Sequence, residues 1–208
     1  MTGWRWPALF ALGAFHGINP GMGWLFAVAL GMQEKSIRAV VKSLVPITIG
    51  HAVAIASVLL LAGFIEVVLP LNYVKISVAA ALVTLGLYRI VRSRHFKWGG
   101  MQVGFADLTF WSFLMASAHG AGLMILPVVL KLPPMSAMPG YHLHAFQDPL
   151  TAVMATLVHT AGYLTVTAAT SMLVYQKFGL AVLRTAWVNL DLMWAFALMA
   201  AGCLALIV

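Results

Sequence analysis

Charged side chains are scarce in this sequence. Asp, Glu, Lys and Arg together make up 8% of its 208 residues, hydrophobic residues make up 62%, and the mean hydropathy is +0.98. Soluble domains carry roughly 25% charged residues, so the composition excludes an ordinary soluble domain. It indicates a polytopic membrane protein.

Cysteine and acidic side chains are also rare. Cys203 is the only cysteine, which excludes an internal disulfide and a dithiol relay within one chain. Asp and Glu number five against twelve Lys and Arg, for a net charge of +7. The basic residues lie in short loops between apolar runs, where they act as topology signals. The charge therefore does not indicate a nucleic-acid partner.

Apolar runs long enough to cross a bilayer occur six times. They lie at about 7–32, 43–65, 68–90, 108–130, 150–175 and 186–208. We expect an all-α polytopic membrane protein with six transmembrane helices in a single transmembrane domain over residues 1–208. The first run continues past His16 and Pro20 to Met32, so it is not expected to be a cleavable signal peptide.

The basic residues divide unequally between the two sides of the membrane. The odd-numbered loops contain Lys35, Arg38, Lys42, Arg89, Arg92, Arg94, Lys97, Lys177 and Arg184. The other side has only Arg5, Lys75 and Lys131. The positive-inside rule then places the odd loops in the cytoplasm. We expect a bacterial cytoplasmic (inner) membrane protein with both termini periplasmic or extracellular.

A polar, breakable stretch, His16 to Trp24, interrupts the first apolar run. Pro20 has no N–H to donate, so the carbonyl of His16 loses its helical partner beside an imidazole. A membrane helix broken at mid-depth is tolerated only where it faces protein or a water-filled cavity. The alternative interpretation is a proline kink with one satisfied histidine.

The two halves of the chain resemble each other. Phe15-His16-Gly17 matches Ala118-His119-Gly120, and each is followed by a proline, Pro20 or Pro127. Gly50-His51-Ala52 matches Val158-His159-Thr160. Lys75 precedes Gly86, and Asp191 precedes Gly202, by the same interval of eleven residues. We therefore predict two three-helix repeats, at 7–92 and 107–208, the second inverted because three is an odd number of crossings.

Inverted repeats bring equivalent mid-span residues together at the bilayer midplane. The hypothesis is that four histidines face one another in a central cavity: His16, His51, His119 and His159. Imidazoles without carboxylates suit a transition-metal ion such as Cu, Zn, Ni or Fe better than Mg or Ca. Carbonyls freed by Pro20 and Pro127 would orient the rings. A proton relay, or a hydrogen-bonded polar core without metal, is the competing interpretation.

Other residues are predicted to support such a site. We assign a substrate pathway to Asn19, Pro20, Gly21, Pro127 and Thr160. The loop at 132–149 offers soft ligands that could hand over a metal ion such as Cu(I), namely Met135, Met138, His142 and His144. A proline-rich surface loop with incidental histidines explains the same residues. His95 belongs to the predicted loop after the third span, and we assign it no chemistry.

Three glycines spaced four apart, Gly13, Gly17 and Gly21, leave one face of the first span almost without side chains. Such a face lets another helix approach closely. Packing within the chain is the favoured interpretation, although the same face would serve a homo-oligomer. The expected partners are the lipid bilayer and a metal ion or small solute.

The repeat layout and the Pro-Gly break at Asn19-Pro20-Gly21 resemble the lysine-exporter superfamily of six-helix membrane proteins. It includes amino-acid exporters, nickel and cobalt exporters with intramembrane histidines, and electron carriers of cytochrome c biogenesis. Those electron carriers place one cysteine in helix one and one in helix four, where this sequence has none. It also lacks the His-rich cytoplasmic loop and the acidic histidine motif typical of nickel exporters.

Three functions are consistent with these observations. The first is a transporter that binds or moves a transition-metal ion at the four histidines. The second is a proton-coupled exporter of a small organic solute, such as a basic amino acid. The third is a membrane-embedded metalloenzyme or metal-loading subunit, which needs an open coordination position. We expect a transporter rather than an enzyme.

Overall fold

The computed structural model describes residues 4–68, 71–91, 104–130, 132, 148–178, 196 and 198–203. All regular structure in these ranges is helical, and no strand occurs among them. The prediction of an all-α protein is therefore confirmed for the described part of the chain.

The first predicted span is broken in its middle. Helix α1 (Arg5–Ile18) is followed by a 3₁₀ turn (Pro20–Met22) and helix α2 (Trp24–Gln33). Pro20 starts the turn, where its missing N–H is not needed. Gly23 joins the turn to α2 with a φ of 136°, a conformation that glycine adopts without steric cost. The break predicted at Asn19-Pro20-Gly21 is present.

Four long or medium helices and one short helix follow. They are α3 (Ile37–Val68), α4 (Leu71–Val91), α5 (Phe105–Ala118), α6 (Ala121–Val129) and α7 (Pro149–Leu173), which continues into a π-helical turn (Val174–Phe178). The axes of α5 and α6 differ by 57°, and Gly120 between them has a φ of 68°. The second break therefore lies at His119-Gly120, and Pro127 lies inside α6.

Within the described ranges, two helices are long and apolar enough to cross a membrane, over Ile37–Ile65 and over Pro149–Lys177. Helices α5 and α6 form a third if they are one bent span. One face of α3 exposes apolar side chains four residues apart, which suits lipid: Val41, Val45, Ile49 and Val53. These features support the prediction of a membrane protein.

The finer topology stays a prediction. The sixth predicted span, at 186–208, is described only at residues 196 and 198–203, which are helical. We therefore keep six crossings, inverted repeats and the location of the termini as predictions.

Glycines allow helices from the two halves to touch through their backbones. A Cβ atom added to Gly13 of α1 would lie 1.9 Å from the carbonyl oxygen of His159 in α7, and one added to Gly17 would lie 2.7 Å from that of Tyr163. From the other side, a Cβ on Gly162 would meet the carbonyl oxygen of Phe10 at 2.1 Å. The predicted close approach at Gly13 and Gly17 is thus made within the chain, to α7.

The same kind of contact joins α3 to α5. A Cβ on Gly50 would lie 2.1 Å from the carbonyl oxygen of Thr109. The hydroxyl of Ser112 donates a hydrogen bond of 2.6 Å to the carbonyl oxygen of Ile47. These two helix pairs, α1 with α7 and α3 with α5, fix the positions of the four mid-span histidines.

Helix α6 is enclosed by the rest of the described bundle. Eight of its nine residues are buried, and it packs against α1, α3 and α4. All of its side chains are apolar, so it contributes core volume and no polar chemistry. Its buried residues belong to the same core cluster as Leu59 and Leu82.

Candidate functional site

Three of the four predicted histidines meet inside the bundle. His16 of α1, His51 of α3 and His159 of α7 all have an exposed fraction of 0%. The ring centres of His16 and His51 are 5.8 Å apart, those of His16 and His159 are 5.1 Å apart, and those of His51 and His159 are 5.6 Å apart. We call these three side chains the histidine cluster.

The rings of the cluster are not equivalent in orientation. His51 and His159 are stacked, with 10° between their planes. His16 stands edge-on to both, at 64° to His51 and 67° to His159. His51 is also stacked on the phenol ring of Tyr163, at a centre distance of 3.8 Å and an angle of 9°. The ring of His51 is thus nearly parallel to those of both His159 and Tyr163.

Hydrogen bonds fix His16 more firmly than the other two rings. His16 Nδ1 lies 2.7 Å from the carbonyl oxygen of Leu12. A carbonyl can only accept, so Nδ1 carries the proton and Nε2 has the lone pair in the neutral ring. Both nitrogens of His51 are buried, and neither has a hydrogen-bond partner among the described residues.

His159 resembles His51 in this respect. The backbone of Leu9 lies near its ring, but no group in the described part of the chain meets either nitrogen with hydrogen-bond geometry. A buried polar atom without a partner costs about 1–3 kcal/mol. Such atoms in a native core call for an explanation, such as a bound ion or water.

His119 lies beside the cluster and not within the stack. It is the C-terminal cap of α5, and its Nδ1 lies 2.8 Å from the carbonyl oxygen of Met115. A Cβ on Gly21 would lie 3.9 Å from His119 Cε1, so the ring borders the break in the first span. It is also close enough to His16 for an electrostatic interaction. Four converging histidines were predicted. Three of them converge in the structure, and His119 lies at the edge of the cluster.

The two repeat-related histidines His16 and His119 have the same local geometry. Each directs Nδ1 to the carbonyl of the residue four positions earlier, Leu12 or Met115. Each also lies at the end of its helix, just before a break. This geometry is local to each helix, so the correspondence between the two halves stays a prediction.

The expectation that Pro20 and Pro127 free carbonyls for the imidazoles was wrong. The carbonyl of His16 accepts a 3.2 Å hydrogen bond from the N–H of Asn19, because the chain tightens into a 3₁₀ turn after α1. Pro127 lies within α6, away from the break at His119. The rings of His16 and His119 instead use carbonyls one turn earlier in their own helices.

The break itself is held by side chains. Asn19 is buried, and its Oδ1 accepts a 2.8 Å hydrogen bond from the N–H of Gly21. The indole N–H of Trp24 donates to the carbonyl oxygen of Ile18 at 2.9 Å. These bonds satisfy backbone groups that the interrupted helix would otherwise leave unpaired.

Tyr163 is a residue of this site that the sequence analysis missed. It is completely buried, its ring stacks on His51, and its hydroxyl donates to the carbonyl oxygen of Met22 in the break. The hydroxyls of Ser112 and Thr167 lie beside it. His159, Tyr163 and Thr167 are spaced four residues apart, and this polar face on an apolar helix was the signal.

Other predicted site residues are not brought into the cluster by any described contact. Thr160 is buried on α7 next to His159, and its hydroxyl has no hydrogen-bond partner among the described residues. The proposed delivery residues lie outside the described residues: Met135, Met138, His142 and His144. Asp191 is also outside them.

The donor atoms do not converge on one point as the side chains stand. Among the described residues, no group of three or more His, Cys, Asp or Glu is arranged to hold a metal ion. Binding of one ion by all three rings requires at least one ring to turn.

Comparisons of this chain with protein-family models, with curated protein sequences and with solved structures gave no match. The site is therefore interpreted from its own geometry.

Proposed function

We propose that this protein is a small membrane transporter whose substrate is a transition-metal ion, bound during passage by His16, His51 and His159 with His119 beside them. One observation carries the proposal. Three imidazoles, each fully buried, lie with ring centres 5.1–5.8 Å apart in the interior of an apolar bundle.

The spacing of the rings supports a single-ion site. Imidazoles that bind one tetrahedral ion through one nitrogen each, at about 2.0–2.1 Å, have ring centres roughly 5 Å apart. The cluster is already at nearly this spacing. Rotation of side chains, without movement of helices, would therefore bring the nitrogens to an ion.

The chemistry of the buried groups supports the same ion class. Ionisable groups inside a membrane protein are rare and usually functional. Four unpartnered nitrogens, on His51 and His159, are acceptable in a core if an ion or water occupies them for part of the cycle. Neutral imidazole favours Zn, Cu, Ni or Fe(II) over Mg or Ca.

The position of the cluster supports transport over catalysis. It adjoins the break between α1 and α2, since His16 lies in the last turn of α1 and Tyr163, which stacks on His51, donates to the carbonyl oxygen of Met22. Discontinuous helices mark the ion sites of many transporters. A metalloenzyme needs an open coordination position and a route for its substrate, whereas these three rings are fully enclosed. Together with the predicted inverted repeats, this favours alternating exposure of the site.

The alternative of a proton-coupled exporter for a basic amino acid has less support. The ring centres of the three histidines lie 5.1–5.8 Å apart, and that of His51 lies 3.8 Å from that of Tyr163. This spacing accommodates an ion and not an organic solute. In that alternative the histidines would carry protons while the solute passed elsewhere.

The test is ion binding by detergent-purified protein. We expect Zn²⁺ to bind the wild type with one-to-one stoichiometry by titration calorimetry, and the double variant His51→Asn, His159→Asn to bind at least about 100-fold more weakly, because two of the three ligands are lost. His95→Ala, in the predicted loop, is the matched control and should bind as the wild type does.

Transport is then measured in proteoliposomes that contain a zinc-sensitive dye. Wild type and His95→Ala should admit Zn²⁺, and the double variant should not. Equal and weak Zn²⁺ binding by all three proteins, repeated with Ni²⁺ and Cu⁺, would remove the metal hypothesis and leave proton coupling or structure. Binding without transport would favour the metal-loading alternative.

A further inference from the structure

We propose that Tyr163 couples occupancy of the histidine cluster to the break in the first span, so that ion binding releases the backbone at Met22. This inference rests on the proposed function and adds to it the residue that connects binding with movement. Tyr163 is a positioning residue, because it touches a ligand ring and the hinge and not the ion.

Tyr163 contacts both parts at once. Its ring lies flat on His51, with ring centres 3.8 Å apart and 9° between the planes. Its hydroxyl donates a hydrogen bond to the carbonyl oxygen of Met22, the last residue of the 3₁₀ turn. A single rigid side chain on α7 therefore bridges α3 and the α1–α2 break.

The break is tightly packed where Tyr163 holds it. Gly23 has a φ of 136°, and a Cβ there would lie 2.4 Å from Ile47 Cγ2 and 3.1 Å from the Tyr163 hydroxyl oxygen. Met22 and Gly23 therefore fit against α3 and α7 in one arrangement. Loss of the bond from Tyr163 would leave the buried carbonyl of Met22 without that donor, which favours a different arrangement of the turn.

Ion binding disturbs this bridge because the ligand rings must turn. Among the described residues, no three donors are arranged to hold an ion as the side chains stand, so binding by all three rings requires at least one ring to turn. We place this movement at His51 or His159, because Nδ1 of His16 is held by the carbonyl oxygen of Leu12. Rotation of His51 breaks its stack on Tyr163 directly. Rotation of His159 moves a ring that lies one helical turn from Tyr163 on the same face of α7.

The turn between α1 and α2 then has two conformational states. Without an ion, His51 is stacked on Tyr163, and Tyr163 holds Met22. With an ion, the rings point at the ion, Tyr163 shifts, and the turn between α1 and α2 is released. Differential stabilisation of two such states by the ligand is what coupling requires.

Hydrogen–deuterium exchange of the purified full chain tests this directly. We expect Zn²⁺, at a concentration that saturates the wild type by calorimetry, to speed exchange of peptides covering residues 19–26 by about fivefold or more, the factor that an ordinary hydrogen bond is worth. Peptides from α3 before His51 should exchange unchanged and provide the internal control.

Two tyrosine variants isolate the hydroxyl. Tyr163→Phe removes the bond to Met22 and keeps the stacking ring, whereas Tyr88→Phe changes an exposed tyrosine and serves as the control. We expect Tyr163→Phe to bind Zn²⁺ about fivefold more tightly than the wild type, because binding no longer has to break the bond to Met22. It should also show fast exchange at 19–26 before Zn²⁺ is added and gain no further speed from it. Its transport rate should fall by at least about fivefold.

The outcomes separate this inference from the proposal beneath it. If the wild type binds Zn²⁺ but exchange at 19–26 does not respond, the coupling role is wrong while the metal site stands. The same holds if Tyr163→Phe transports as well as Tyr88→Phe. If the wild type binds no ion, both proposals fail. The wild-type exchange measurement needs no variant, so a poorly folding Tyr163→Phe would still leave the inference testable.

Discussion

Gly13 of α1 lies so close to His159 of α7 that a Cβ on the glycine would be 1.9 Å from the histidine carbonyl oxygen. This contact sets the depth of one helix against the other. His16 is the residue three positions after Gly13, and its ring centre lies 5.1 Å from that of His159. The side-chain-free face of α1 is therefore what lets two of the three cluster rings meet.

Substitution of this glycine should loosen the cluster. Gly13→Ala forces α1 away from α7, because the oxygen that the new methyl group meets belongs to backbone and cannot turn aside. We expect a loss of about 1–3 kcal/mol in the free energy of unfolding and weaker Zn²⁺ binding. Ala11→Val, which adds methyl groups to an exposed position of α1, is the control. The melting temperatures of both variants are measured by thermal unfolding followed by tryptophan fluorescence. Equal melting temperatures for Gly13→Ala and Ala11→Val would contradict the close packing.

The histidines should differ in importance for ion affinity. His119 borders Gly21, whereas the ring centres of the cluster lie within 6 Å of one another. We expect His51→Asn or His159→Asn to weaken Zn²⁺ binding by more than about 100-fold and His119→Asn by about tenfold, as for a residue that supports a ligand. Calorimetric titration gives the ranking. An equal loss for His119→Asn would make it a full fourth ligand.

Bound ion should stabilise the fold. At a free Zn²⁺ concentration of about 100 times the dissociation constant, a ligand that binds only the folded state adds about 2.7 kcal/mol. The melting temperature of the wild type should therefore rise with Zn²⁺ and return when a chelator is added. The double variant His51→Asn, His159→Asn should show no such rise. A rise of the same size in that variant would place the stabilising ion elsewhere.

The indole of Trp24 should stabilise the break independently of any ion. Its N–H donates to the carbonyl oxygen of Ile18 at 2.9 Å, and Trp24 is buried. Trp24→Phe leaves that carbonyl without this donor and should cost about 1–3 kcal/mol. Trp4→Phe changes an exposed tryptophan and should have little effect. Unfolding of the chelator-treated proteins is compared, and identical stabilities would show that the Ile18 carbonyl finds another donor.

The features that the sequence predicted well are those that follow from a local rule. Hydropathy located the helices that the structure describes, and Pro20 marked the first break because proline has no N–H to donate. The meeting of His16, His51 and His159 followed from treating equivalent mid-span positions as neighbours. Each of these needs only the residue types and their spacing.

The features that could not be predicted from the sequence depend on which of two backbone conformations forms or on contacts between residues far apart in the chain. Proline 127 indicated a break as Pro20 did, but the chain turns at Gly120, where a positive φ is available to glycine. The neighbouring sequence alone does not show whether the chain breaks at Gly120 or at Pro127. Tyr163 was missed because its role comes from Met22 and His51, which are far from it in sequence. Only the spacing of His159, Tyr163 and Thr167 hinted at it.

The contact between Gly13 and α7 has a consequence for how the protein is made. The ribosome adds roughly 5–20 residues per second, so α1 is made about 7–30 seconds before its partner helix α7. During that interval His16 has no His159 beside it. A chain that stops before α7 should therefore be a substrate for membrane quality-control proteases, and its half-life in cells should be much shorter than that of the whole protein.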